Sequence, residues 1–178
     1  MEKLEKQYDL DIHWRSFELR PAGSPPIPPE YRKRIEASRP MMEKRAREQY
    51  GLEINAGPFG IDSRPALIAD KYAESQGKGE AFHKAVMEAY WQQASSIDDS
   101  NVLKEIAKNV GLNTENFEAA LADPTYDAEV SADIDLAREY RLDGVPALVF
   151  ADKYLVMGAQ PYDTLKQVLE KVQEEERA

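Results

Sequence analysis

The stretch Gly144 to Phe150, GVPALVF, decides the fold. A glycine leads into a Val145–Pro146 bond, and four apolar residues, Ala147 to Phe150, follow at once. Proline has no N–H to give to a sheet ladder, so it is tolerated at the first residue of a strand or along an edge. A run this apolar reads as a central strand, and a proline at its head needs a reason that the rest of the chain must supply.

The chain has 178 residues, of which 42% are hydrophobic. That is enough for a real core, in one domain or in one domain carrying a large insertion. With 33 acidic against 23 basic residues the formal net charge is -10. This argues against nucleic acid or an anionic membrane as partner, since both attract basic surfaces. The absence of cysteine excludes disulfides, thiolate catalysis and thiolate metal ligands among these residues. His13 and His83 are the only histidines, too few for a histidine-rich metal site. No catalytic residue and no metal site is therefore assigned. The opening MEKLEKQYDLDIHW lacks the apolar centre of a signal peptide, and no run approaches the ~18 apolar residues of a membrane span. The expectation is a soluble, cytoplasmic chain.

Residues Leu10 to Leu19, LDIHWRSFEL, alternate, with Ile12, Trp14 and Ser16 on one side and His13, Arg15 and Phe17 on the other. An aromatic on each side predicts a strand covered on both faces. Glu2 to Tyr8 reads as the tail of a helix. RPAGSPPIPPE holds five of the eleven prolines and predicts a stiff connection. A charged helix follows from Tyr31 to Tyr50, interrupted or restarted at Pro40.

Helices then dominate. Asp62 and Ser63 are cap candidates, with Pro65 in the first turn of a helix to Gln76. Glu80 to Ala94 carries Phe82, Val86 and Ala89 near helical spacing. Val102, Leu103, Ile106, Ala107 and Val110 form one stripe behind the acidic cap Asp98–Asp99. Tyr126 to Tyr140 turns Val130, Ile134 and Ala137 inward. After GVPALVF comes a second strand, Tyr154 to Met157, across a turn at Asp152–Lys153. A last amphipathic helix carries Leu165, Val168, Leu169 and Val172, and the tail EEERA is expected to fray.

Taken together, DIHWRSFEL, GKGEAFHKAVMEAYW, VLKEIAKNVGL, GVPALVF and YLVMGAQP, in this order and at this spacing, resemble the DsbA-like thioredoxin-fold family. The branch most similar is that of the FrnE-like disulfide oxidoreductases, related to 2-hydroxychromene-2-carboxylate isomerases and kappa-class glutathione transferases. The resemblance implies an α/β thioredoxin-like fold, incomplete because its first strand is missing, with a large all-helical insertion. Residues 1–22 and 140–178 would form the core and residues 23–139 the insertion. It also implies a cis Val145–Pro146 bond in a loop facing the active site. Gly144, Val145 and Pro146 would then bind substrate, with the Val145 backbone free to pair with an extended ligand.

In the family a first strand runs into Cys-x-x-Cys at a helix N-terminus, where the helix end lowers the thiolate pKa. The match here starts at the tail of that helix. The strand at Asp11 to Leu19 and the strand at Ala147 to Ala151 would flank a gap, to be resolved by a start upstream of Met1, by direct pairing of the two strands, or by a homodimer through unpaired strand edges. By family the function is thiol–disulfide oxidoreduction on protein thiols or disulfides, with this chain redox-inactive. The alternatives are a glutathione-dependent isomerase or transferase, and a non-catalytic peptide-binding module. No cofactor is required, glutathione being the one candidate.

Four further candidates have structural explanations of equal or greater weight. His83 borders an apolar helix face and His13 alternates in the expected strand, each a structural histidine before it is a base. Tyr90–Trp91 suits core packing better than a cleft. Asp62, Ser63 and Arg64 correspond to the loop that approaches glutathione in the isomerase branch, and helix capping explains them as well.

Overall fold

The computed structural model describes residues 1–177. The element order is α1 (Glu2–Glu5), α2 (Pro29–Tyr50), α3 (Arg64–Ser75), α4 (Gly79–Gln92), α5 (Ser100–Asn109), α6 (Phe117–Leu121), α7 (Pro124–Glu139), β1 (Ala147–Phe150), β2 (Tyr154–Met157) and α8 (Tyr162–Glu176). The chain divides into two compact units. One comprises Met1–Leu19 and the chain from Asp133 onward, the other Arg20–Ala132.

The helical unit is organised by α3, which packs against α4, α5 and α6. Its core joins Phe82 of α4, Leu103 and Ala107 of α5, Phe117 of α6, and Ala69 and Ala73 of α3, all with no exposed area. Small residues on α3 let the larger side chains of its neighbours approach closely, which is how a dense interior is filled. Tyr72 adds an edge-to-face contact with Phe117 at 6.0 Å and another with Tyr126 at 5.7 Å. The expected stripe of α5 is present, with Leu103, Ile106 and Ala107 buried and Val102 and Val110 packed beside them.

The caps follow local chemistry. Asp62 accepts the Arg64 N–H at 2.9 Å and Asp99 accepts the Asn101 N–H at 2.8 Å, each satisfying a first-turn donor. Ser63 makes no capping bond, so of the expected pair only Asp62 serves.

α2 corrects the reading at Pro40. The helix runs unbroken from Pro29 to Tyr50 with Pro40 inside it and no residue buried. A proline removes one i→i−4 bond, but on a helix with no buried residue the orphaned carbonyl can be hydrated instead of left dry in a core. The helix ends at Gly51, whose φ of 66° is the left-handed conformation of a C-terminal cap.

In the other unit the sheet has two strands, β1 and β2, paired antiparallel with Ala147 opposite Met157 and Phe150 opposite Tyr154. Ala151 and Asp152 turn the hairpin with positive φ, 49° and 54°. Leu165 and Leu169 of α8, together with Leu4 of α1, form a small core on which Phe150, Val156, Tyr162, Tyr8 and Leu10 pack. The tail expected to fray is helical through Glu176, and Ala178 lies outside the described residues.

The strand expected at Leu10 to Leu19 does not form. Among the described residues that segment joins no ladder, Trp14 is 44% exposed and Leu19 is 67% exposed. A strand is defined by its neighbour, and among the described residues none pairs with this one. Its anchor is a side chain instead. Asp133, buried on α7, accepts the Ser16 N–H at 2.9 Å and an Arg15 Nη1 hydrogen at 3.1 Å.

Candidate functional site

The candidate site is the loop Gly144–Val145–Pro146 at the head of β1. After α7 ends at Glu139 the chain turns sharply, with Arg141 at a φ of 56° and the Leu142 N–H returning to the Ala137 carbonyl at 2.9 Å. Asp143 and Gly144 then lead into a cis Val145–Pro146 bond. Val145 is 51% exposed. Among the described residues neither its N–H nor its carbonyl takes part in a hydrogen bond.

Pro146 sits one step ahead of the ladder. Its carbonyl accepts the Gly158 N–H at 2.8 Å, which continues the register of Ala147 with Met157. The two glycines of the site differ. Gly158 needs its φ of 76°, a conformation costly to L-residues. Gly144 is neither in that region nor crowded, since a Cβ there would meet nothing within 4 Å. The backbone at that position makes no demand that only glycine can meet.

No thiol lies in the chain, so the site offers backbone hydrogen bonding and apolar surface and no nucleophile of the disulfide-exchange type. Among the described residues there is also no cluster of three or more His, Asp or Glu side chains placed to hold a metal, and no helix long and apolar enough to cross a membrane.

The other sequence candidates have structural employment. Arg64 donates to the Asp127 carboxylate at 2.8 Å and to the Ser131 hydroxyl at 2.7 Å, so Asp62 and Arg64 act within the helical unit. His83 Nδ1 lies 3.5 Å from Asp70 Oδ2, joining α4 to α3. His13 pairs with Asp11 at 3.1 Å on an exposed stretch. Tyr90 and Trp91 meet edge to face at 5.1 Å, and partial burial raises the Tyr90 phenol above its ordinary pKa while its hydroxyl donates to the Pro58 carbonyl. A cleft of about 170 Å³ lies in the helical unit between residues 20–24 and 60–62 and includes none of the loop residues.

Sequence reasoning missed Asp133. The signal was available: Val130, Asp133, Ile134 and Ala137 share i, i+3, i+4, i+7 spacing, so α7 carries a carboxylate on its apolar stripe. A buried carboxylate requires donors. Ser16 and Arg15 supply them.

Comparison with known proteins gives the same answer as the fold. The family model described as a DSBA-like thioredoxin domain matches residues 1–170. The chain is 28% identical to the Bacillus subtilis (strain 168) protein YwbO, over 94% of its own length and 85% of the relative. It is similar to the crystal structure of the probable DsbA oxidoreductase SCO1869 from Streptomyces coelicolor, with a TM-score of 0.71 and 28% identity. That match covers 80% of this chain and 62% of the other, so the chain spans less than two thirds of that oxidoreductase. A 2-hydroxychromene-2-carboxylate isomerase shares the fold, with a TM-score of 0.79, 18% identity, and coverage of 99% and 88% of the two chains. With a family match over residues 1–170 of its 178, the chain belongs to the DSBA-like thioredoxin domain family.

Proposed function

We propose that this chain is a thiol–disulfide-class member of its family that binds without turnover. Gly144, Val145 and Pro146 would hold an extended segment of a thiol- or disulfide-bearing protein, and the residues present do no redox chemistry. The observation that carries the reading is the exposed Val145, whose backbone groups have no hydrogen-bond partner among the described residues at the head of an uncharged strand. An extended peptide laid against such a segment gains main-chain hydrogen bonds that do not depend on its sequence. Disulfide exchange needs an attacking thiolate, and the chain has none.

The test has two arms. In an insulin-reduction assay with dithiothreitol the chain should leave the rate at the reagent background, and turnover above it would overturn redox inactivity. A fluorescein-labelled, carboxymethylated insulin B chain serves as the extended probe, read by fluorescence anisotropy. Binding should be lost in Val145→Pro, which removes the N–H. Equal binding by the variant, or none by the wild-type chain, refutes capture at Val145. A calorimetric titration with glutathione addresses the isomerase or transferase alternative, which gains ground if heat of binding appears while the peptide probe fails.

A further inference from the structure

The step from α7 to β1 contains the sequence's one Asp–Gly pair, Asp143–Gly144, and the sequence has no Asn–Gly. An aspartate followed by glycine can close a ring on its own backbone, because the next nitrogen is within reach of the side-chain Cγ and glycine puts no Cβ in the way. Whether a folded chain permits the closure depends on how firmly that one peptide unit is held. Here the described bonds stop on either side of it. The Leu142 N–H returns to the Ala137 carbonyl, and the Pro146 carbonyl takes the Gly158 N–H. Between them Asp143 is exposed, and among the described residues neither its carboxylate nor the Gly144 N–H has a hydrogen-bond or ion-pair partner. A Cβ at Gly144 would meet nothing within 4 Å, so no neighbour blocks the movement.

We propose that Asp143–Gly144 is a site of spontaneous covalent modification, at which the aspartate converts to isoaspartate through a cyclic imide. The Gly144 nitrogen attacks Cγ of Asp143. The Cγ–N bond forms and one Cγ–O bond breaks, and that oxygen leaves as water with the amide proton and one proton from solvent. Water then adds to one of the two imide carbonyls and breaks its bond to nitrogen. Opening at Cγ restores aspartate, and opening at the main-chain carbonyl gives isoaspartate. Neither step changes an oxidation state or needs a partner other than water.

The same chain supplies two comparisons. Asp62–Ser63 and Asp99–Ser100 also join an aspartate to a small residue. Their carboxylates are engaged as caps, Asp62 by the Arg64 N–H at 2.9 Å and Asp99 by the Asn101 N–H at 2.8 Å, and the backbone that follows each enters a helix. Either carboxylate must give up that bond before it can close a ring. Asp143 has none to give up, and the nitrogen it meets belongs to a residue without a side chain. The isoaspartyl form routes the main chain through Cβ and Cγ of residue 143. It therefore adds one carbon to the backbone two residues ahead of Val145 and leaves the α-carboxylate as a new side group. This change is read from covalent structure, so it stands or fails separately from the peptide capture proposed above.

The test follows oxygen. The full chain is held at physiological temperature in mildly acidic buffer made with heavy-oxygen water, then digested with trypsin in ordinary water and sequenced by electron-transfer fragmentation. Opening of the imide places one heavy oxygen in residue 143 whichever bond breaks, and fragmentation separates the isoaspartyl from the aspartyl isomer. The peptide Leu142–Lys153 should gain label and isomer at Asp143 at least ~5-fold faster than the peptides holding Asp62 and Asp99, the factor expected from releasing a cap. A synthetic peptide with the sequence of Leu142–Lys153 sets the unrestrained rate, and the folded chain should run at a rate of the same order. Gly144→Ala puts a methyl group beside the attacking nitrogen and should bring labelling down to the level of Asp62 and Asp99. Asp143→Glu should abolish it, because the ring would need an extra atom. Labelling of wild-type Asp143 no faster than that of Asp62 or Asp99 overturns the proposal. So does equal labelling in Gly144→Ala, or a folded chain that lags the synthetic peptide by ~10-fold or more, which would mean that the loop holds the pair apart.

Discussion

Replacing Asp133 tests what holds the segment from Asp11 to Glu18 in place of a ladder. In Asp133→Ala the Ser16 N–H loses its acceptor in a setting where Ser16 is only 6% exposed. A hydrogen bond from a backbone amide to a charged group contributes about 1.5–3 kcal/mol, and a buried donor left unsatisfied carries a similar penalty. The Arg15 half of the interaction counts for less, because the arginine side chain is 58% exposed and such pairs contribute ~0–1 kcal/mol. The expected cost is about 2–4 kcal/mol, a large share of the ~5–15 kcal/mol of an ordinary domain. For a chain of this length each kcal/mol moves the midpoint by about 2–4 °C, so thermal unfolding followed by circular dichroism should shift down by roughly 4–16 °C. Asp133→Asn keeps an oxygen for the Ser16 N–H and gives up the charge, and should cost only about 1 kcal/mol. Equal losses for the two variants would mean that the charge, and not the acceptor, holds the segment. A loss below about 0.5 kcal/mol for the alanine variant would mean that Asp133 does not anchor it at all.

Phe82→Ala should cost about 3–5 kcal/mol, since the ring is wholly buried at the centre of the helical unit; urea denaturation measures it, and a loss under 1 kcal/mol would remove Phe82 from the core. Gly144→Ala should leave the unfolding midpoint within error, whereas Gly158→Ala, forced to a φ of 76°, should cost about 1–2 kcal/mol. Ala151→Gly should stabilise the hairpin by about 0.5–1 kcal/mol, because Ala151 holds a φ of 49° that glycine adopts freely. Asp123 accepts the Thr125 N–H at 2.8 Å, and that backbone bond lowers its folded pKa below the ordinary aspartate value. Its contribution is therefore present above the unfolded pKa and lost as pH falls through the folded one. Thermal unfolding of Asp123→Ala should differ from wild type at pH 7 and converge with it in acid, and a gap that persists or widens in acid would refute the assignment.

What was legible in the sequence was what a short stretch decides for itself. The stripes of α5 and α8 were readable because 3.6-residue periodicity requires only the helix and one apolar neighbour. Leu103, Ile106 and Ala107 on α5, and Leu165, Leu169 and Val172 on α8, are buried as their spacing requires. The Asp62 and Asp99 caps were readable because donor and acceptor lie two residues apart. GVPALVF was readable as a strand because its partner follows within a few residues. The segment from Leu10 to Leu19 has the same alternating composition and fails as a strand for want of a neighbour. Pro40 was misjudged for a related reason, because the cost of a lost backbone bond depends on whether the carbonyl left behind is dry.

The same distinction governs the candidate site. Alternation tells which side chains share a face, but it does not tell which edge of a strand is occupied. That follows from a single bond, the one from the Gly158 N–H to the Pro146 carbonyl, which fixes the phase of the ladder. Had the phase been the other, Pro146 would have placed its missing donor on the outer edge, and the outward groups would have belonged to Leu148 and Phe150. In the phase observed, the proline spends its deficit on the β2 side, next to a glycine that already ends the ladder. The outer side keeps the complete donor–acceptor pairs of Ala147 and Val149, with the exposed Val145 just ahead of them. The proline at the head of an apolar strand thus marks a boundary: before it lies a backbone with no described partner, and after it an edge with full hydrogen-bonding capacity.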